Sequence, residues 1–156
     1  LRIYNMLFTG ETERSIDEKS RISLPAEMRA GFCSGIVYAS PGPNDTIWLS
    51  PEVTFEKKAS SLEQSLLPDE DEMEFEQILF SQSRRLEIDK QGRIRLPDAL
   101  LSLAGIADQA FVLGVGDHLE VLNHAKWSTK RLENLAKLRE IMKRARKKGG
   151  ASGGTS

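Results

Sequence analysis

FTGETERSIDEKSRISLP, residues 8–25, and FSQSRRLEIDKQGRIRLP, residues 80–97, are two copies of one eighteen-residue unit. The offset is 72 residues without a gap, and seven of the eighteen positions are identical, where chance gives about one. Both copies hold the kernel Ile-Asp-x-x-x-Arg-Ile-x-Leu-Pro, at Ile16–Pro25 and Ile88–Pro97. A chain carrying two such units is expected to present two similar surfaces, which suits a partner that is itself repetitive.

Within each kernel, Asp17 and Asp89 stand where an extended strand must turn. A short carboxylate there accepts backbone N–H groups two residues on and holds the turn. Gly92 precedes Arg93, a place where positive φ carries no steric penalty. Ser20 fills that place in the first copy, so its turn is either less extreme or mildly strained. Arg21 and Arg93 then emerge beside the turn. The planar guanidinium binds phosphate, or the O6/N7 edge of guanine, through two hydrogen bonds at once. Around the second kernel Arg84, Arg85, Lys90, Arg93 and Arg95 crowd together, with Glu87 and Asp89 as counterweight. Around the first, Arg14, Lys19, Arg21 and Arg29 are diluted by Glu11, Glu13, Glu18 and Glu27. The plainer reading makes the Asp–Arg pairs structural ion pairs. Both can hold, with Asp17, Asp89 and Gly92 shaping the turns while the arginines bind.

Outside the kernels the chain alternates strand and helix signals. Arg21–Leu24 and Arg93–Leu96 alternate polar with apolar, the period of a half-buried strand. Pro25 and Pro97 follow at once and suit the first turn of a short helix, which carries Met28 inward and Arg29 outward. Strands are expected at Ile36–Ala39 and Ile47–Leu49, then a helix from Ser50-Pro51-Glu52 to about Leu66. The second copy repeats this order, with strands near Ala110–Val115 and His118–Leu122 and a long helix from about Lys126. The predicted fold is α+β, two tandem β-α-β-β-α repeats. The first spans 6–67 and the second 80–136, joined by an acidic linking helix over 68–79. Residues 137–156 form a basic helix end and a flexible tail. Leu132, Leu135, Leu138 and Met142 give that last helix one apolar face. A repeat of about 60 residues is marginal alone, so the two are expected to share one core.

The net charge of −1 hides an asymmetry. Between Lys137 and Lys148 seven basic residues face Glu140, a local balance of +6, so the rest sums to −7. Nucleic-acid binding must therefore come from local patches. The single Cys33 excludes an internal disulfide and fits a reducing compartment; it reads as a small buried residue. No apolar run approaches a membrane span and no leader pattern opens the chain, so neither membrane nor export is expected.

Enzyme readings find little support. His118 in Asp117-His-Leu-Glu120 offers poor convergence if all lie on a strand, and His124 begins a helix. No metal-ligand spacing, phosphate loop or nucleophile constellation is present, so no catalytic residue, metal or cofactor is expected.

The double kernel, each followed by Ile-x-Leu-Pro, resembles the MraZ family of bacterial transcriptional regulators, within the AbrB-like swapped-hairpin superfamily. The resemblance covers about Met6 to Trp127 and includes Gly114-Val-Gly-Asp-His-Leu-Glu-Val121. It implies a cytoplasmic, nucleoid-associated regulator, most simply a repressor. Its target would be short direct repeats in the promoter of the division and cell-wall gene cluster. It also implies ring-shaped homo-oligomers, with the two kernels folded together as a pseudo-dimer. DNA contacts carry over at Arg21, Arg93 and Lys19, with Arg14 and Arg29 matching basic positions of the wider superfamily. Leu86 and Leu101 replace the last two in the second copy, and Ser20 and Gln91 depart from the family's Lys-Gly-Arg run. The same superfamily includes protein-binding antitoxins, the alternative function.

Overall fold

The computed structural model describes residues 7–62, 66 and 69–152, with side chains through residue 149. The fold is α+β. The first half runs β1 (Glu11–Ser15), β2 (Arg21–Ser23), α1 (Ala26–Arg29), β3 (Ile36–Gly42), β4 (Thr46–Pro51) and α2 (Glu52–Leu62). After α3 (Glu70–Gln82), the second half runs β5 (Arg84–Glu87), β6 (Arg93–Arg95), α4 (Asp98–Ala104), β7 (Gln109–Gly114), β8 (Leu119–Asn123) and α5 (His124–Ala136). A last helix, α6, covers Leu138–Ser152. Each half is thus β-β-α-β-β-α, one strand more than the β-α-β-β-α expected. The added strand is the polar stretch read from Thr9 to Ile16, which the turn at residues 17–20 separates from β2, as the turn at 89–92 separates β5 from β6.

The strands of the large sheet lie in the order β1-β7-β8-β4-β3-β5, all antiparallel. Exchanging the halves turns this order into itself read backwards. Each half therefore lends its opening strand to the other. β1 pairs with β7 (Arg14↔Ala110), and β5 pairs with β3 (Leu86↔Val37). The second sheet is a two-stranded ribbon of β2 and β6, centred on Ile22↔Ile94. Those isoleucines, with Leu24 and Leu96, point inward and meet Val37, Leu49, Val112 and Val121 in one buried cluster. Each such fully buried side chain contributes about 1.5–3 kcal/mol. Residues up to His124 form one compact unit, so the two halves share a core, as their size requires.

Strand pairing shows where the repeat slips. Val37 opposes Leu86 as Ala110 opposes Arg14, so β3 and β7 correspond at an offset of 73 rather than 72. The hairpins restore the register. Pro43–Asp45 makes a three-residue turn with Asn44 and Asp45 at positive φ, whereas Val115 closes directly on the His118 carbonyl. By β4 and β8 the offset is 72 again, with Ile47↔Val121 and Leu49↔Leu119.

Two helix boundaries differ from expectation, and a third falls on residues that are not described. α2 is described to Leu62, and residues 63–65 of its expected extension lie outside the described residues. α3 starts on an N-cap, Asp69, whose carboxylate accepts the Glu72 N–H, with three acidic residues in its first turn. It runs on through Phe80–Gln82, where the first copy is not helical and Phe8 forms an isolated bridge with Gly116. The compact unit from Ala125 holds two helices instead of one long one, interrupted at Lys137. There α6 continues through Gly149 to Ser152, so that part of the expected flexible tail is helical, and residues 153–156 lie outside the described residues. Leu132, Leu135, Leu138 and Met142 are all exposed.

Candidate nucleic-acid interface

Each kernel turn is closed by its aspartate. Asp17 Oδ1 accepts the backbone N–H groups of Lys19 (2.9 Å) and Arg21 (2.8 Å), and Oδ2 accepts Arg21 Nε at 2.7 Å. Asp89 does the same with Gln91 (2.9 Å), Arg93 (2.9 Å) and Arg93 Nε (3.0 Å). The Arg21 backbone N–H leads in holding the Asp17 carboxyl below the usual carboxylate range, against an opposing push from desolvation. Arg93 acts likewise on Asp89. The aspartate thus orders the turn and, through Nε, orients the guanidinium. The terminal Nη groups of both arginines have no hydrogen-bond partner among the described residues. Arg21 and Arg93 are 29% and 28% exposed, half-buried rather than sequestered.

Arg21, Ser23, Arg93 and Arg95 share the outward face of the β2–β6 ribbon, because Ile22 and Ile94 take the inward one. The two kernels therefore do not make two separate surfaces; they merge into one. Arg21 stands opposite Arg95, and Arg93 opposite Ser23 one diagonal away, about 7–8 Å.

The ribbon has two ends. At one, Leu24 donates to the Gly92 carbonyl; at the other, Leu96 donates to the Ser20 carbonyl. The first-half extras both arrive at the Gly92 end. Arg14 Nε donates to the Ser23 carbonyl at 3.1 Å, and the Arg29 guanidinium lies against Gly92, filling the space of an absent Cβ. Arg93 and Lys90 of the turn itself join them beside Asp89, while Arg14 and Arg29 each bring a glutamate close in sequence, Glu13 and Glu27. The Ser20 end holds Lys19, Arg21 and Arg95 against Asp17, Glu18 and Asp98, whose Oδ1 accepts the Ser20 hydroxyl at 3.0 Å. Three cations there meet three carboxylates. Ser20 adopts φ +63°, so its turn is the strained alternative; Gly92 sits at φ +79°.

Two sequence-selected cations go elsewhere. Arg84 caps the end of α3, donating to the Ser81 and Ser83 carbonyls, and Arg85 pairs with Glu52 at 3.2 Å. The matching pair in the other half is Glu13 with His124, at 3.4 Å, the same positions with the acidic and basic partners exchanged. Both tie an edge strand to the start of a helix, which is a sheet-securing task.

A second polar cluster gives His118 a satisfied structural role, with a convergence that strand geometry did not lead one to expect. His118 is buried at the tip of the β7–β8 hairpin, with Nδ1 2.7 Å from Asp117 Oδ1 and Nε2 2.9 Å from Glu120 Oε2. The expectation of poor convergence fails because residue 118 lies in the turn, before the strand alternation begins. Its ring stacks on Trp48 at 3.7 Å, and Lys58 reaches both Asp117 and the Trp48 ring. Burial pushes the Asp117 carboxyl upward, but hydrogen bonds from His118 and Lys58 outweigh it and hold it low. The role is structural satisfaction, and among the described residues no group of His, Cys, Asp and Glu is arranged to hold a metal ion. Cys33 is exposed rather than buried, because it follows α1 in the loop, with Phe32 taking the inward position. Among the described residues no helix is long and apolar enough to cross a membrane.

Known proteins match this chain. The family described as "MraZ protein, putative antitoxin-like" matches residues 79–148. A transcriptional regulator MraZ of Mesoplasma florum is 33% identical over 137 residues, 87% of this chain and 93% of its own length. One from Herpetosiphon aurantiacus is 32% identical, covering 79% of this chain and 85% of the relative. One from Syntrophomonas wolfei is 33% identical, covering 78% and 85%.

Proposed function

The chain belongs to the MraZ family, and from that premise we propose that it is a transcriptional regulator that reads DNA with the outward face of the β2–β6 ribbon. The observation that carries this reading is the placement of Arg21 and Arg93. Both stand on one face, each with Nε anchored by an aspartate. The strand exchange supports reading the halves as an intrachain pseudo-dimer of AbrB-like swapped-hairpin repeats. A B-DNA major groove, about 12 Å wide, admits a two-stranded ribbon. Arg21, Arg93 and Arg95 would address base edges, while Lys19, Lys90, Arg14 and Arg29 hold phosphates and set the register. Arg84 and Arg85 drop out of this interface.

The ribbon is short, three residue pairs, so one chain offers few contacts. We read the working form as a homo-oligomer, in the simplest case a ring, acting as a repressor at tandem promoter repeats of the division and cell-wall gene cluster. Linked subunits make later contacts intramolecular and raise avidity by about 10²–10⁴. Selection of bound sequences from a random DNA pool tests function and target together. The expected product is a short motif recurring at about 10 bp spacing, one helical turn. Enrichment of no motif, or equal affinity for single and tandem sites, contradicts the reading, and a toxin-like protein captured in preference to DNA would favour the antitoxin alternative.

A further inference from the structure

An open apolar groove lies between α2 and α3, over the β3–β4 hairpin, with a volume of about 490 Å³. Phe55, Ala59 and Leu62 form one wall and Phe75, Ile78 and Leu79 the other. Phe75 and Ile78 are 55% and 57% exposed, unusual for large apolar residues on a helix of the main unit. The α3 wall is also acidic. Glu70–Gln82 carries five carboxylates and no cation. At 3.6 residues per turn, Glu74 and Glu76 flank its apolar stripe on either side.

The C-terminal helix has the opposite character. In α6, Leu138, Ile141, Met142 and Ala145 recur at three- and four-residue spacing, and Leu138 and Met142 are exposed. Arg139, Arg146 and Lys148 border that stripe, and the stretch from Lys137 to Lys148 sums to +6. An amphipathic helix laid by its apolar face into a groove, with i, i+3, i+4, i+7 anchors, is a recurrent recognition mode. The charges here set its partner. A basic-flanked stripe matches the acidic α3 wall in sign, while Lys58, which lines the α2 wall, is paired with Asp117.

We propose that the α2–α3 groove receives α6 from a second copy of this chain, making a head-to-tail contact between subunits. The contact is heterologous: groove and helix are different surfaces, so repetition either closes a ring or continues as a filament. This rests on the multi-subunit part of the reading above, and it gives that assembly a defined joint distant in sequence from the ribbon. It also assigns the basic helix to subunit contact rather than to DNA phosphate.

Light-scattering mass measurement on the full-length chain tests it with two variants. Phe75→Asp with Ile78→Asp spoils the groove, and Leu138→Asp with Met142→Asp spoils the helix; all four side chains are exposed, which spares the core. The wild-type chain should exceed monomer mass and each variant should be monomeric. Mixed together, the two variants should form a 1:1 heterodimer, since one keeps the groove and the other keeps the helix. Raising salt from 0.15 to 1 M, which shortens the screening length from about 8 to 3 Å, should weaken that heterodimer at least tenfold. An oligomer that survives both variants overturns this joint but leaves the multi-subunit reading standing. A monomeric wild type overturns both. Two monomeric variants that fail to combine overturn the exchange between copies. Arg21→Ala with Arg93→Ala should leave the mass unchanged, which separates the joint from the DNA-binding face.

Discussion

Asp17–Arg21 and Asp89–Arg93 close the same turn bond for bond, yet their surroundings diverge. The first turn holds Ser20 at φ +63° and fastens its hydroxyl to Asp98; the second holds Gly92 at φ +79° beneath the Arg29 guanidinium. Arg14 and Arg29 come from the first half but act at the second turn, because strand exchange delivers them across the pseudo-twofold. Their counterparts Leu86 and Leu101 face or enter the core. The difference teaches that a duplicated kernel does not make a duplicated site. Geometry is conserved between the copies by the aspartate, while charge is set by neighbours that the exchange brings in.

This comparison can be broken most sharply at the arginines. Arg21→Ala with Arg93→Ala should abolish sequence-specific shifts in gel retardation. Of the single changes, Arg93→Ala should cost more than Arg21→Ala, toward about 3 against about 1 kcal/mol, the range of a lost bidentate base contact. Equal losses would show that the polarity of the ribbon has no bearing on binding. Next in size, Arg14→Leu and Arg29→Leu should weaken binding to all sequences and lower the salt slope by about one unit each, read from titrations at several salt concentrations.

Acid should treat the two turns alike. Both aspartates have folded-state pKa values below the ordinary 3.8, so their contribution is present above that value and is lost as pH falls through the lowered one. Urea midpoints measured from pH 6 to pH 2 should therefore decline less steeply for Asp17→Asn with Asp89→Asn than for the wild type. An unchanged slope would mean the carboxylates do not hold the turns. The smallest effect is conformational. Gly92→Ala should destabilise by at least about 1–2 kcal/mol, the penalty of a side chain in the left-handed region, and its Cβ must also displace the Arg29 guanidinium. Ser20→Gly should gain less than about 1 kcal/mol, because relief of strain is offset by added chain entropy in the unfolded state. Thermal melts of the pair would show whether strain or the Asp98 bond dominates at the first turn.

Much of the local structure was legible from residues alone. The alternation at Arg21–Leu24 put Ile22 and Leu24 inside, and the prolines at 25 and 97 marked the approach to α1 and α4. Pairing was less legible, since two similar copies leave open whether a strand joins its own half or the other. Only the register revealed that β3 and β7 are offset by 73, because the compensating turns lie in dissimilar loop sequence. Arg84 and Arg85 lie beside the kernel in sequence yet bond to the end of α3 and to Glu52, since an extended strand carries its residues about 3.3 Å apart and sends neighbours to opposite faces. Cys33 misled by type, being small and apolar yet placed in a loop. The His118 clamp was hidden because it needs a turn to bring residues 117, 118 and 120 together.

One consequence of the lent strands concerns biosynthesis. As the polypeptide leaves the ribosome, β3 waits for β5, β1 for β7 and β4 for β8, so the large sheet cannot be complete until translation has passed residue 123. Val37 waits for Leu86, Ile22 for Ile94 and Arg14 for Ala110, and in the meantime the unpaired edges invite aggregation. A nascent chain stalled before that point should bind chaperones, and release of the last strands should end that dependence in one cooperative step.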